Sequence, residues 1–285
     1  MIQNNCSLTE TQIQHYETFG FVVRHQVFDL KEIEKLNDEF ENHLVEMKKE
    51  FEQKKDRPWP NWSNLTPSTP YIAGLLEDPR ICVPIEQLLG DDVFPVYSNS
   101  NSMNKETSWH PDMIHSHIRG LKTLVYLQPT TADRGALRVI PGSHKTSFSS
   151  KLMNIGLCPR RTKSGRNFLE EANITGEDIP SFAFNSEPGD VVTINQNVWH
   201  AAFNCFEDRR LCSFGFYSNP KTTQEEAELK ALVKRSGAHK KELTMSSQSQ
   251  YYHSWWLKNP KKNPRRSRWI KSLDNWGFIQ AMNNN

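Results

Sequence analysis

The chain has 285 residues, 36% hydrophobic and 24% charged, with a net charge of +2. This excludes a fibrous or disordered chain and suits one β-rich domain able to bury most of its apolar surface. No run approaches the roughly 20 apolar residues that a membrane span requires, and MIQNNCSLTETQ lacks the pattern of a secretory signal.

The cysteines (Cys6, Cys82, Cys158, Cys205, Cys212) are scattered and never form a CxxC pair. They predict neither a disulfide framework nor a thiolate zinc site, and they fit a reducing cytoplasm. The charge is uneven. Residues 221–285 carry 13 Lys/Arg against 5 Asp/Glu, which is +8 and leaves −6 for residues 1–220. Such a surplus is either a solvated basic face or a surface that attracts an anionic substrate or partner.

Residues 8–18 predict a short helix capped by Ser7 or Thr9, which Gly20 ends, followed by a buried strand at Phe21-Val22-Val23. Leu30, Ile33, Leu36, Phe40, Leu44 and Met47 recur at spacings of three and four, one apolar stripe on a helix over about 30–54. Four prolines then mark RPWPNWSNLTPSTPY as a loop, whose Trp59 and Trp62 either line a substrate mouth or pack beneath it. Two short helices follow at about 70–77 and 80–89.

From Val93 the texture changes. VFPVYS, TLVYLQ, ALRVIPG, FAF, DVVTIN and LCSFGFY are short, β-branched and aromatic, and bounded by turn residues. Their density predicts a sandwich or barrel. Residues 146–186 are expected to be an inserted loop, a lid in many folds, with Arg160, Arg161, Lys163 and Arg166 and a helical turn near 168–172. Helix returns after Pro220. The layout is therefore a single domain over 1–285: a helical part at 1–92, a β core at 93–219, and a helical, basic part at 220–285.

His110-Pro111-Asp112 places an imidazole and a carboxylate two residues apart, so on a strand both face the same way. His200 follows the turn Glu187-Pro188-Gly189-Asp190 and the strand-like VVTINQNVW, at whose far end it would enter the same space if the sheet closes on itself. Two imidazoles and one carboxylate leave three coordination positions free and suit iron(II). Arg210 starts LCSFGFY. If that strand lies beside the one bearing His200, its guanidinium enters the cavity and can bind a carboxylate through two parallel hydrogen bonds. Otherwise Arg209 and Arg210 are an exposed strand start.

SLTETQIQHYETFGFVV, SWHPD, GALRVIPGSHK, EPGDVVTINQNVWH and the stretch from His200 through Asn204 to Arg210 together resemble the phytanoyl-CoA dioxygenase family of 2-oxoglutarate oxygenases. The resemblance covers about residues 8–217. It implies a mostly β double-stranded β-helix with flanking helices. It also implies Fe(II) held by His110, Asp112 and His200, and 2-oxoglutarate held by Arg210. Arg210 is preferred to Arg209 because it stands six residues after Asn204. Tyr97, Asn99, Asn101 and Thr123 are further candidate cosubstrate contacts. A carboxylate at position 112, where related halogenases carry a small residue, implies hydroxylation rather than halogenation.

The activity so implied uses O2, oxidises an unactivated C–H bond of a small-molecule substrate, and releases succinate and carbon dioxide. His115, His117 and Arg119, together with the basic segments, point to a polar, anionic or zwitterionic substrate. Two rival classes are a metal-dependent hydrolase or isomerase on the same ligands, and a non-catalytic protein binding nucleic acid through KNPKKNPRRSRW. The second is disfavoured because the rest of the chain is acidic.

Overall fold

The computed structural model describes residues 6–53, 61–102, 105–114, 117–161, 166–243, 251–259 and 261–283. Helices are α1 (Glu10–Phe19), α2 (Leu30–Gln53), α3 (Pro70–Gly74), α4 (Pro79–Leu89), α5 (Thr146–Asn154), α6 (Phe168–Ala172), α7 (Thr223–Leu243), α8 (Ser254–Leu257), α9 (Pro264–Asn275) and α10 (Phe278–Asn283). Strands are β1 (Phe21–Arg24), β2 (Asn61–Ser63), β3 (Val93–Ser102), β4 (Thr107–His110), β5 (Gly120–Tyr126), β6 (Leu137–Val139), β7 (Phe182–Ala183), β8 (Val191–Asn195), β9 (His200–Ala202) and β10 (Arg210–Ser218).

The strands form two antiparallel sheets, β1-β8-β5-β10-β3-β2 and β4-β9-β6-β7. From β3 to β10 the chain passes back and forth between them, which is how a double-stranded β-helix is wound. The alternation of apolar residues explains the layers. Leu124, Tyr126, Val192, Ile194 and Leu211 of the larger sheet meet Leu137 and Val139 of the smaller one in the barrel interior. The opposite face of the larger sheet, with Leu121, Val125, Phe214 and Phe216, is covered by the apolar stripe of α2 and by α4, α7 and the C-terminal helices.

Two local devices set the chain's entry. Thr9 and Gln12 form a reciprocal capping box at the start of α1, and Gly20 ends it with φ of 86°. A Cβ on Gly20 would lie 2.3 Å from Val198, so only glycine lets this corner rest against the turn before His200. Asp190, from the predicted turn, accepts hydrogen bonds from the backbone N–H groups of Gln26 and Glu187, tying that turn to the residues after β1.

Three expectations change. The 146–186 excursion is not a bare loop, because it contains α5, α6 and two short 3-10 turns. Its Leu152, Leu157, Cys158 and Ile179 pack on Trp109, Ile140, Trp199 and Phe203, covering the outer face of the smaller sheet. Trp62 lies on β2 at the edge of the larger sheet, buried against Phe40, so it packs and does not line a mouth; Trp59 lies outside the described residues. Finally, the described part of the basic, Trp-rich C-terminus packs its large aromatics inward. Trp256 and Trp269 are buried, Arg266 pairs with Glu77, and Arg265 pairs with Glu86 at 2.8 Å. Trp256, Trp269, Arg265 and Arg266 are thus committed to the fold, while Lys258, Lys261, Lys262 and Arg268 stay exposed as a solvated basic face.

No helix among the described residues is long and apolar enough to cross a membrane. Trp269→Ala is expected to destabilise the protein by about 3–5 kcal/mol in denaturant unfolding, the cost of emptying a core site. A loss within about 0.5 kcal/mol would mean an exposed residue instead.

Candidate metal centre

β4 and β9 pair antiparallel with His110 opposite His200, and their ring centroids are 4.4 Å apart. The two histidines are therefore cross-strand neighbours on the inner face of one sheet; no closure from a distant strand is needed. His200 opens β9 and does not end the strand before it. Asp112 lies past the end of β4, on the bend after Pro111, so it shares the site through that bend and not through strand alternation. One ligand atom from each of the three side chains falls within 4.8 Å of the others.

Alternation sends the preceding residues the other way. Trp109 and Trp199 are fully buried on the outer face, where Trp109 Nε1 donates to Gly176 O (2.7 Å) and Trp199 Nε1 donates to Ser149 Oγ (2.9 Å). The excursion after β6 thus grips the residue before each histidine. Its tip also reaches the motif itself, with Arg160 Nη2 on Ser108 Oγ (3.1 Å) and Arg161 Nη1 on Pro111 O (2.5 Å).

Each imidazole is turned by its own backbone. His110 Nδ1 lies 2.7 Å from Ser108 O, and His200 Nδ1 lies 3.0 Å from Val198 O. A carbonyl only accepts, so Nδ1 carries the hydrogen and the Nε2 lone pair is free. Both Nε2 atoms face Asp112 Oδ1, at 4.0 Å from His110 and 3.6 Å from His200. Burial pushes the pKa of His200 down to about 3 and lowers that of His110 as well. Burial alone would raise the Asp112 carboxyl, but the Lys122 ammonium and the two histidines outweigh it and hold it well below the usual carboxylate range. Two neutral imidazoles and a carboxylate anion are the protonation states a divalent cation requires.

Lys122 was not singled out from the sequence. It projects inward from β5, with Nζ 2.5 Å from Asp112 Oδ2. A lysine in the midst of the apolar strand GLKTLVY, at an inward position, was the available signal.

The cosubstrate candidates divide. Tyr97, Asn99 and Asn101 share the inner face of β3, in cross-strand rows with Gly215, Ser213 and Leu211. The Tyr97 ring covers Gly215, where a Cβ would stand 2.1 Å from it. Asn99 Oδ1 accepts from the Tyr251 hydroxyl, and Asn101 Oδ1 is buried without a hydrogen-bond partner among the described residues. Thr123 faces the opposite way, its hydroxyl 3.0 Å from that of Thr193, because the inward residue of that pair is Lys122.

Arg210 also leaves the interior. β10 pairs with β3 and β5, not with β9, and the Arg210 side chain turns to α2, where it meets Glu41 and Asn37. Its neighbour Arg209 is the inward one. It is 2% exposed, lies alongside Gly135 and Tyr126, and its Nε and Nη1 have no hydrogen-bond partner among the described residues.

His117 is held by Glu228 on α7 (2.6 Å), and Arg119 donates to the carbonyls of Leu88 and Leu89 at the end of α4. Both therefore hold helices against the barrel. His115 and Lys163 lie outside the described residues, and Arg166 pairs with Glu171.

The profile of the family described as Phytanoyl-CoA dioxygenase (PhyH) matches residues 16–206. The ectoine dioxygenase of Bordetella bronchiseptica is 27% identical over 213 residues, spanning 69% of this chain and 67% of that protein. The ectoine dioxygenase of Sphingopyxis alaskensis is 35% identical over 89 residues, which cover 27% of this chain and 29% of that one. Among solved structures, HygX from Streptomyces hygroscopicus with nickel and 2-oxoglutarate bound superposes with a TM-score of 0.56 at 18% identity, over 76% of this chain and 90% of that one. EctD from S. alaskensis with bound Fe gives 0.54 at 21% identity, over 74% and 76%. These likenesses show a common fold. Because the family match runs from within α1 to just past β9 and takes in His110, Asp112 and His200, the chain belongs to the phytanoyl-CoA dioxygenase (PhyH) family and is a 2-oxoglutarate-dependent dioxygenase.

Proposed function

We propose that the chain hydroxylates an unactivated C–H bond of a small polar or anionic metabolite, using iron(II) held by His110, Asp112 and His200. The observation that carries this reading is the convergence of two unprotonated Nε2 atoms and one carboxylate oxygen on one point. That donor set fits iron(II) and leaves positions for a chelating cosubstrate and oxygen. When bound, iron with 2-oxoglutarate supplies the oxidising power, with succinate and carbon dioxide as products; the chain binds, orients and shields. HygX with nickel and 2-oxoglutarate and EctD with Fe, on the same fold, support the choice of cofactors.

The distal carboxylate of 2-oxoglutarate falls to Arg209 and not to Arg210. Arg209 offers two unengaged N–H donors in the interior, whereas Arg210 points away from it, its Nη1 engaged by Glu41 and Asn37 on α2 and only its Nε buried without a partner among the described residues. Arg209 lies beside Gly135, whose N–H meets Phe203 O, three residues past His200. At about 3.3 Å per strand residue that is roughly 10 Å from the metal row, within reach of a five-carbon diacid chelated at the other end. The wall between them includes Asn99, Asn101, Leu124 and Ser213. On the substrate side, Arg160 and Arg161 are exposed next to the metal motif and favour an anionic group there.

Adding iron(II) and then 2-oxoglutarate to the metal-free protein without oxygen is expected to give a visible charge-transfer band that Asp112→Ala lacks. Iron bound with no band would favour a hydrolase or isomerase. Arg209→Ala is expected to raise the 2-oxoglutarate concentration for half-saturation of that band by about 30-fold or more, since truncating one side of a buried charge pair costs about 2 kcal/mol or more. Arg210→Ala should leave it within a few-fold. The reverse ranking would return the role to Arg210.

A further inference from the structure

Each of the three donor side chains has a second polar atom, and each second atom is held. His110 Nδ1 and His200 Nδ1 lean on the carbonyls two residues before them. Asp112 Oδ2, which accepts no well-aligned hydrogen bond among the described residues, is held instead by an ion pair with a side chain from the other sheet, Lys122 on β5, at 2.5 Å. The need for it follows from the local backbone. Strand pairing fixes the histidines, but Asp112 stands beyond the last residue of β4, where no ladder restrains its direction. A carboxylate free to turn can offer a cation either oxygen or both.

We propose that Lys122 is a positioning residue for the metal centre. Its ammonium takes Oδ2, so that Asp112 presents Oδ1 alone to the ion on the side where both Nε2 atoms converge. The position the second oxygen would fill stays open for cosubstrate and oxygen. Lys122 stands in one cross-strand row with Gly215, which is itself opposite Tyr97, so the lysine rises beside a residue that has no side chain of its own. This proposal rests on the reading of the three donors as iron ligands.

The sign of one measurement separates this role from that of a bystander charge. A lysine that contributed only its charge would repel a divalent cation, and its removal would tighten metal binding. A lysine that aims the carboxylate has the opposite effect, because losing a partner of a metal ligand costs about 10–100-fold in metal affinity. The experiment is an oxygen-free titration of the full chain with iron(II), in competition with a coloured chelator, with circular dichroism to verify the fold. Lys122→Met is expected to weaken iron(II) binding by about 10–100-fold. Lys122→Arg, which keeps both charge and donors, should return to within a few-fold of wild type. Lys122→Gln, a donor without charge, should fall between them and carries the comparison if the methionine variant does not fold. Equal or tighter binding by Lys122→Met, or an arginine variant no better than the methionine one, would overturn the role. A wild-type chain that binds no iron(II) would overturn the metal-site reading itself, and this role with it.

Discussion

The arrangement depends on the pairing of two short strands. Where β4 meets β9, His110 stands opposite His200, and strand alternation then fixes what lies behind them. Both imidazoles face the barrel, and Trp109 and Trp199 face away. Each tryptophan is buried and hydrogen-bonded into the excursion after β6. A segment that resembles a lid in sequence is thus the outer wall of the metal centre. Slipping β9 by one residue would turn both faces inside out, placing an indole where the ligand should be. The register is held on one side by Val139, paired with His200 on β6, and on the other by Gly20 pressed on Val198.

Electrostatics follow from this geometry. Burial favours neutral imidazoles, and Lys122 favours the Asp112 anion against the upward push of burial on its carboxyl. Further into the barrel, Arg209 is a buried cation with donors to spare, while beyond the larger sheet Arg265, Arg266 and Arg210 are each matched with a glutamate. Buried guanidinium donors are costly when unpaired. The orphan donors of Arg209 inside the cavity support the proposed cosubstrate carboxylate there, whereas the paired guanidinium groups belong to the fold.

Much of this was legible because it depended on pattern. The stripe of α2, the turn at Glu187–Asp190 and the apolar strands depend on periodicity and turn chemistry, which short stretches carry by themselves. The two misplaced side chains share one cause. Arg209 and Arg210 are adjacent, as are Lys122 and Thr123, and in a strand adjacent residues face opposite ways. Choosing between them requires the register against neighbouring strands, which no local spacing contains. Asp112 shows the converse. Its i+2 spacing from His110 suits a strand, yet in the structure a bend after β4 brings the carboxylate to the two imidazoles. The C-terminal tryptophans and arginines were ambiguous for another reason. The same residues that bind phosphates and bases also fill cores and pair with buried glutamates, and only Glu77 and Glu86, far away in sequence, settle which.

Locating the metal tests this centre most directly. Crystals of the chain loaded with iron(II) without oxygen, measured at the iron absorption edge, would show the ion by its anomalous scattering. One strong peak is expected, bonded to Nε2 of His110, Nε2 of His200 and a single carboxylate oxygen of Asp112. A peak bonded through either Nδ1, or one that omits any of the three residues, would contradict it.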